Sequence, residues 1–154
     1  MTDSELDKLM KMYAEDAIAL ASKHHGIVLD YSEQSIVSID RILAHLTASG
    51  LSRPSEMSPE QDEQLWIICK VYGGYIGEVM ARHIGANWRV KVSADGASVI
   101  ELFVANRITA SPPQKVWKRL TESEYDTILG YYRGLQNILG RPLFFPDMSP
   151  GGQS

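Results

Sequence analysis

The segment from Ser58 to about His83 most constrains the fold. Ser58, Pro59, Glu60 and Gln61 open a helix: serine caps it, proline takes the first helical position, and Gln61 closes a capping box. At about 100° per residue, Leu65, Ile68, Cys69, Tyr72, Ile76, Val79 and Met80 fall on one face. Ile67, Val71, Gly74 and Glu78 form a second line nearly opposite the first. A helix apolar on two sides needs neighbours on both flanks, so the spacing predicts a central helix over 58–84. Any fold for this chain must be built around it.

Three glycines, Gly73, Gly74 and Gly77, lie inside this predicted helix. Each costs up to about 1 kcal/mol relative to alanine in a helix interior. Two readings account for them: another backbone comes close, or room is left for a ligand. Close packing is the commoner reason for a mid-helix glycine. Glu78 ends the second line, and a lone buried carboxylate is expensive. Arg82 follows one turn on, in the favourable acid-before-base order, so an intrahelical ion pair is the simplest expectation. Arg41 and the hydroxyls of Tyr31 or Tyr75 are candidates to complete a network.

The rest of the chain reads as helices plus a small sheet. Leu6, Leu9, Met10, Tyr13, Ala17, Leu20 and Ala21 recur at helical spacing after a Thr2/Glu5 capping box, and Gly26 is placed to stop that helix. His24 and His25 in its last turn suit capping better than a metal, because adjacent helical residues diverge. "GIVLDYS" reads as a link or short strand. Asp30 or Ser32 then caps a helix carrying Ile36, Ile39, Ile42, Leu43 and Leu46. Residues 47–58 are loop by composition. Alternation at Trp88, Val90 and Val92, and the β-branched run of residues 98–108, predict an antiparallel hairpin. Pro112 and Pro113 open a short helix. Thr121 with Glu124 reads as a further capping box, starting a last helix with Tyr125, Ile128, Leu129, Tyr132, Leu135 and Ile138 on one side. Phe144 and Phe145 are expected to dock. The predicted class is α+β: a helical bundle around the central helix with a small antiparallel hairpin or three-stranded sheet. Residues 1–148 are read as one domain and 149–154 as a loose tail.

Composition narrows the function classes. The chain is 44% apolar and 22% charged, which argues against disorder. A net charge of −4 and a pI near 5.5 argue against nucleic acid or an anionic membrane as partner. The single cysteine, Cys69, excludes an intramolecular disulfide and suits a reducing compartment. The first sixteen residues lack the apolar stretch of a signal peptide, and no run approaches a membrane span; a cytoplasmic location is expected by elimination. Phosphate-binding GxxxxGK[ST] and GxGxxG patterns are absent, as are HExxH, CxxC, an EF-hand loop and a GxSxG elbow. Neither metal nor cofactor is expected. Cys69 falls on the main apolar face, where an inert thiol is favoured over a nucleophile. His45 and His83 read as structural.

"LDYSEQSIVSIDRIL" followed by "YGGYIGEVMARHIGANW" resembles a family of small bacterial domains of unknown function. The matching positions are Tyr31, Ser32, Ser35, Asp40, Tyr75, Gly77, Glu78, Arg82, Gly85 and Trp88, and the match spans roughly residues 27–135. The resemblance implies a bacterial origin and a shared structural theme; it implies no activity, substrate or catalytic residue.

Two functions follow as expectations. The first is a non-catalytic module binding an unidentified protein partner, an immunity protein being one version, with self-association as a homodimer a further expectation. The second is a small enzyme or anionic-ligand receptor whose pocket is bounded by Tyr75, Glu78, Arg82 and Trp88, with Arg82 gripping the anion and Glu78 as base or orienter. Asp40 with Glu78 is the carboxylate pair suited to acid/base work, against the plainer reading that each answers its own arginine. The aromatic residues, Trp66, Trp88 and Trp117 among them, serve either recognition or the core.

Overall fold

Helix α3, Pro59–His83, runs through the middle of the fold in a computed structural model that describes residues 1–50 and 57–147. Its start is the capping box read above: Ser58 Oγ accepts the Gln61 N–H and the Gln61 side chain accepts the Ser58 N–H. Every residue from 71 to 80 is buried, as a helix enclosed on several sides requires. The expectation of an α+β fold around this helix is met.

The three glycines each receive a different neighbour. A Cβ on Gly73 would lie 2.6 Å from the backbone of Pro113, at the start of α4 (Pro112–Thr121). On Gly74 it would lie 3.0 Å from the Met10 carbonyl oxygen of α1 (Asp3–Leu20). On Gly77 it would lie 2.2 Å from Cζ2 of Trp88, in β1 (Ala86–Val92). The glycines are close-approach sites for another helix's backbone, a proline and an indole.

Helix α1 starts at its Thr2/Glu5 capping box and buries Leu6, Met10, Ala14 and Ala17. Its last turn, residues 21–25, widens to π geometry and ends on Gly26 at φ +63°. Residues 27–30 form no strand. Ile27 and Leu29 are buried while Val28 and Asp30 are exposed, so the stretch is an alternating link without a pairing partner. Asp30 accepts from the N–H and hydroxyl of Ser32, and Ser32 Oγ accepts the Ser35 N–H, where α2 (Ser35–Ala48) begins. The expected cap is not formed: Gln34 holds the N-cap position without a side-chain bond, Asp30 reaches only Ser32, and Ser32 alone touches the helix, at Ser35. Residues 51–56 of the predicted loop, and the predicted tail, lie outside the described residues.

The sheet has three antiparallel strands in the order β1-β2-β3, with β2 at Ser98–Val104 and β3 at Ile108–Ala110. The single strand predicted over 98–108 is split by a tight turn at Ala105 and Asn106, which both sit at positive φ. Trp88 pairs with Leu102 and Ala86 with Val104 on the core side. On the outer face Arg89 bonds Glu101 at 2.6 Å and Thr109 at 3.2 Å, with its guanidinium 4.1 Å over the Phe103 ring.

The predicted last helix is displaced. Helix α5 is Ile128–Ile138, not a helix from Thr121. Thr121 Oγ1 donates back to the Trp117 carbonyl and ends α4 instead. Thr127 caps α5 by accepting the Gly130 N–H, and the Asp40 carboxylate receives the amides of Ile128 and Leu129 at 2.7 and 3.0 Å. A carboxylate from α2 on those amides fixes the start where local capping signals do not. Tyr125 is consequently exposed, as is Ile138 at the far end. Of the two phenylalanines expected to dock, Phe144 packs on the core; Phe145 is 73% exposed beneath the Arg133 guanidinium. No helix among the described residues is long and apolar enough to cross a membrane.

Candidate functional site

Three of the four pocket residues nominated from sequence, Tyr75, Glu78 and Arg82, gather at Tyr31, in the turn before α2. Tyr31 sits at φ +64°, a conformation a bulky residue adopts only when its surroundings impose it. Four contacts do so. Its N–H donates to the Tyr75 hydroxyl at 2.8 Å, and its carbonyl accepts from His83 Nε2 at 2.8 Å, which places the proton on that nitrogen. Its ring stacks on that of Tyr75, centroids 5.1 Å apart, and the Arg82 guanidinium lies 3.7 Å from its centroid. The Tyr75 hydroxyl donates a hydrogen bond to Ser35 Oγ at 2.6 Å, and Ser35 donates in turn to the Ser32 carbonyl at 2.6 Å.

Tyr75 is therefore a fully buried brace, its hydroxyl pushed up in pKa chiefly by burial. Glu78 and Arg82 are brought together: Arg82 Nε lies 3.6 Å from Glu78 Oε1, with the glutamate 11% and the arginine 50% exposed. The pair is closed on its acidic side and open on its basic side. Lys11 of α1 is raised in pKa mainly by its hydrogen bond to Asp7, with Glu78 adding a smaller attraction. The Tyr31 hydroxyl is raised by burial; Arg82 opposes the shift and Glu78 adds to it. Trp88 is buried under Gly77, and its Nε1 has no partner among the described residues. Tyr75, Arg82 and Glu78 thus meet around Tyr31, whereas Trp88 fills a notch of its own.

The other candidates resolve into packing. Both oxygens of Asp40 are occupied by the start of α5, and burial raises its pKa, partly offset by those amides and by Arg119. It makes no pair with Glu78. Arg41 is exposed and joins no network among the described residues. Burial pushes the Cys69 thiol up to about 12, so it carries no thiolate at neutral pH. His25, read as capping its own helix end, meets His45 of α2, Nδ1 to Nδ1 at 3.2 Å with the rings stacked. No group of three or more His, Cys, Asp or Glu suited to a metal occurs among the described residues.

A second feature joins residues that sequence reasoning did not connect. Between the tip of the sheet and helices α1, α3 and α4 lies a cavity of roughly 470 Å³, open to solvent. Leu9 and Tyr13 of α1, Trp66 and Lys70 of α3, Ile100 of β2 and Pro113 of α4 line it. Its walls are mainly apolar, Trp66 is held by stacking on Trp117 at 5.7 Å, and the exposed ammonium of Lys70 supplies a cation at the rim. The size is that of a ligand site. In the sequence, Trp66 and Tyr13 stood out only as aromatics suited either to recognition or to the core.

Comparison with family models, with curated proteins and with solved structures returns no match to this chain.

Proposed function

We propose that this chain is a non-catalytic protein-binding module working in the cytoplasm, of which an immunity protein that blocks another bacterial protein is one form. The observation that carries the reading is the solvent-open cavity with aromatic and aliphatic walls and Lys70 at its rim. An aromatic anchor beside a charged rim is a frequent interface arrangement. The chemistry-bearing residues support it from the other side: Tyr75, Asp40 and Cys69 are each consumed by packing or hydrogen bonding. Kinship with the bacterial family that the Tyr31-to-Trp88 pattern resembles belongs to the same proposal.

The test is capture from native lysate on the immobilised chain. One protein recovered with wild type, and reduced about tenfold by Lys70→Glu, supports the reading; no protein recovered with wild type overturns it. The second reading, a small enzyme or anionic-ligand receptor at Glu78, Arg82 and Trp88, draws on the open half of the Arg82 side chain. Saturable amide shifts around residues 31 and 82 on titration with acetate or sulfate, abolished by Arg82→Gln, would favour it. Homodimerisation is read by sedimentation at several concentrations.

A further inference from the structure

Strand β2 is paired along only part of one edge. Leu102 faces Ala110 in the β2–β3 register, so two residues further on Pro112 falls opposite Ile100. Proline has no N–H to give, and the chain there turns into α4, where Pro113 is seated against Gly73. The Ala105 N–H bonds the Gly85 carbonyl on the β1 side. The two-residue period then directs the main-chain groups of Phe103, Glu101 and Val99 to β1, and those of Val104, Leu102, Ile100 and Ser98 to the other side. Strand β3 takes Val104 and Leu102. The N–H and C=O of Ile100 and Ser98 have no recorded partner among the described residues. The opposite edge of the sheet is treated differently: α1 packs against β1, and Asp3 approaches the Val90 N–H at 3.5 Å.

Ser98, Val99 and Ile100 also border the cavity described above. An uncovered strand edge is a template for another chain, and it coincides here with apolar walls and a cation. We propose, resting on the protein-binding reading, that residues 98–100 and the cavity beside them dock an extended peptide segment of a partner protein. The segment adds beside β2 in line with β3, places an apolar side chain in the cavity against Trp66 and Tyr13, and sets a carboxylate near Lys70.

The occupant follows from the chemistry. Two donors and two acceptors repeating every second residue are complemented by another main chain in extended form. An apolar acid would fill the cavity but leave those four groups unmet. A second copy offers its own edge but no carboxylate at residues 98–100 to answer Lys70. The single cation calls for an acidic residue or a chain terminus on the peptide.

The experiment is selection from a displayed random dodecapeptide library on the immobilised full chain, followed by solution titration of the enriched peptides. The expected consensus alternates apolar residues and carries an acid. Backbone N-methylation of the peptide should weaken binding about tenfold at alternate positions and little between them, a signature that needs no change in the protein. The Ser98 and Ile100 amides should gain protection from hydrogen exchange, and Lys70→Glu should weaken acidic peptides about fivefold. The proposal is overturned by no enrichment, by N-methylation effects without the alternation, or by binding that leaves those two amides unchanged. Decanoate occupying the cavity without any enriched peptide, or a dimer that buries the edge in sedimentation and exchange, would also overturn it. Lysate capture separates the two levels: a captured protein insensitive to Lys70→Glu and to the selected peptide removes this site but leaves the binding reading, while no captured protein removes both.

Discussion

The Tyr75 hydroxyl accepts the N–H of Tyr31 at 2.8 Å and so holds a tyrosine at φ +64° in the turn that starts α2. A residue buried in the central helix thereby sets the backbone of a surface turn.

Removing that hydroxyl tests the brace. Tyr75→Phe deletes the acceptor for the Tyr31 N–H and the donor to Ser35 while keeping the ring stack. It should destabilise the fold by about 1–3 kcal/mol, read as a lower urea midpoint with an unchanged m-value. Exchange of the Tyr31 amide should accelerate more than that of amides within α3. A midpoint equal to wild type would mean that the turn holds itself.

Glycine substitutions should separate by neighbour. Gly77→Ala drives a methyl into Trp88 and should cost about 1–3 kcal/mol or more. Gly134→Ala, on the exposed side of α5 with nothing within 4 Å of the added carbon, should stabilise by up to about 1 kcal/mol. Thermal unfolding of the two variants beside wild type decides whether the sign reverses between them.

How much was legible follows from how local each signal is. Helix α3 was readable because its capping box and two apolar lines lie within one segment. The need for Gly73, Gly74 and Gly77 to meet something was readable too; what they meet was not, since Pro113, Met10 and Trp88 come from three elements. The last helix was misplaced because its start is set by Asp40, 88 residues from Ile128, while Thr121 and Glu124 carry a sufficient local signal. Glu78 with Arg82 was legible as an i,i+4 pair. The conformation of Tyr31 was not, being imposed by residues 44 and 52 positions on. The cavity draws on four elements, and no single stretch announces it.

Asp40 should leave a mark on acid stability. Its folded pKa lies above the ordinary carboxyl value of 3.8, chiefly through burial. Between 3.8 and the folded pKa the native state binds the extra proton, so unfolding free energy falls as pH rises through that window. The difference between wild type and Asp40→Asn should therefore decline with rising pH just above 3.8 and level off beyond it. Urea unfolding from about pH 3 to pH 7 measures it, and a difference that rises with pH would refute the assignment.

The His25–His45 contact predicts the opposite slope. Burial first, then repulsion from His45 and His24, lowers the His25 pKa below 6.5. The unfolded chain binds the proton more readily in that window, so stability is full above pH 6.5 and is lost as pH falls toward the folded pKa. His45→Gln removes the repulsion and should flatten the dependence. The His25 imidazole resonance should titrate at higher pH in that variant than in wild type; an unchanged titration would show that the two rings do not sense each other.

The three notches along α3 have a consequence for how the rod can be seated. Rotating it by one residue, about 100°, would swing Ile76 or Glu78 toward the Trp88 indole and a tyrosine, Tyr72 or Tyr75, toward Pro113 or the α1 backbone. Sliding it by four residues would carry one of Gly73 and Gly77 to the other's place but set Lys70 or Glu78 against the α1 backbone. The helix is thus indexed both about and along its axis, and it admits one seating. Each partner sits in its own notch, so filling any one of the three collides with a different element.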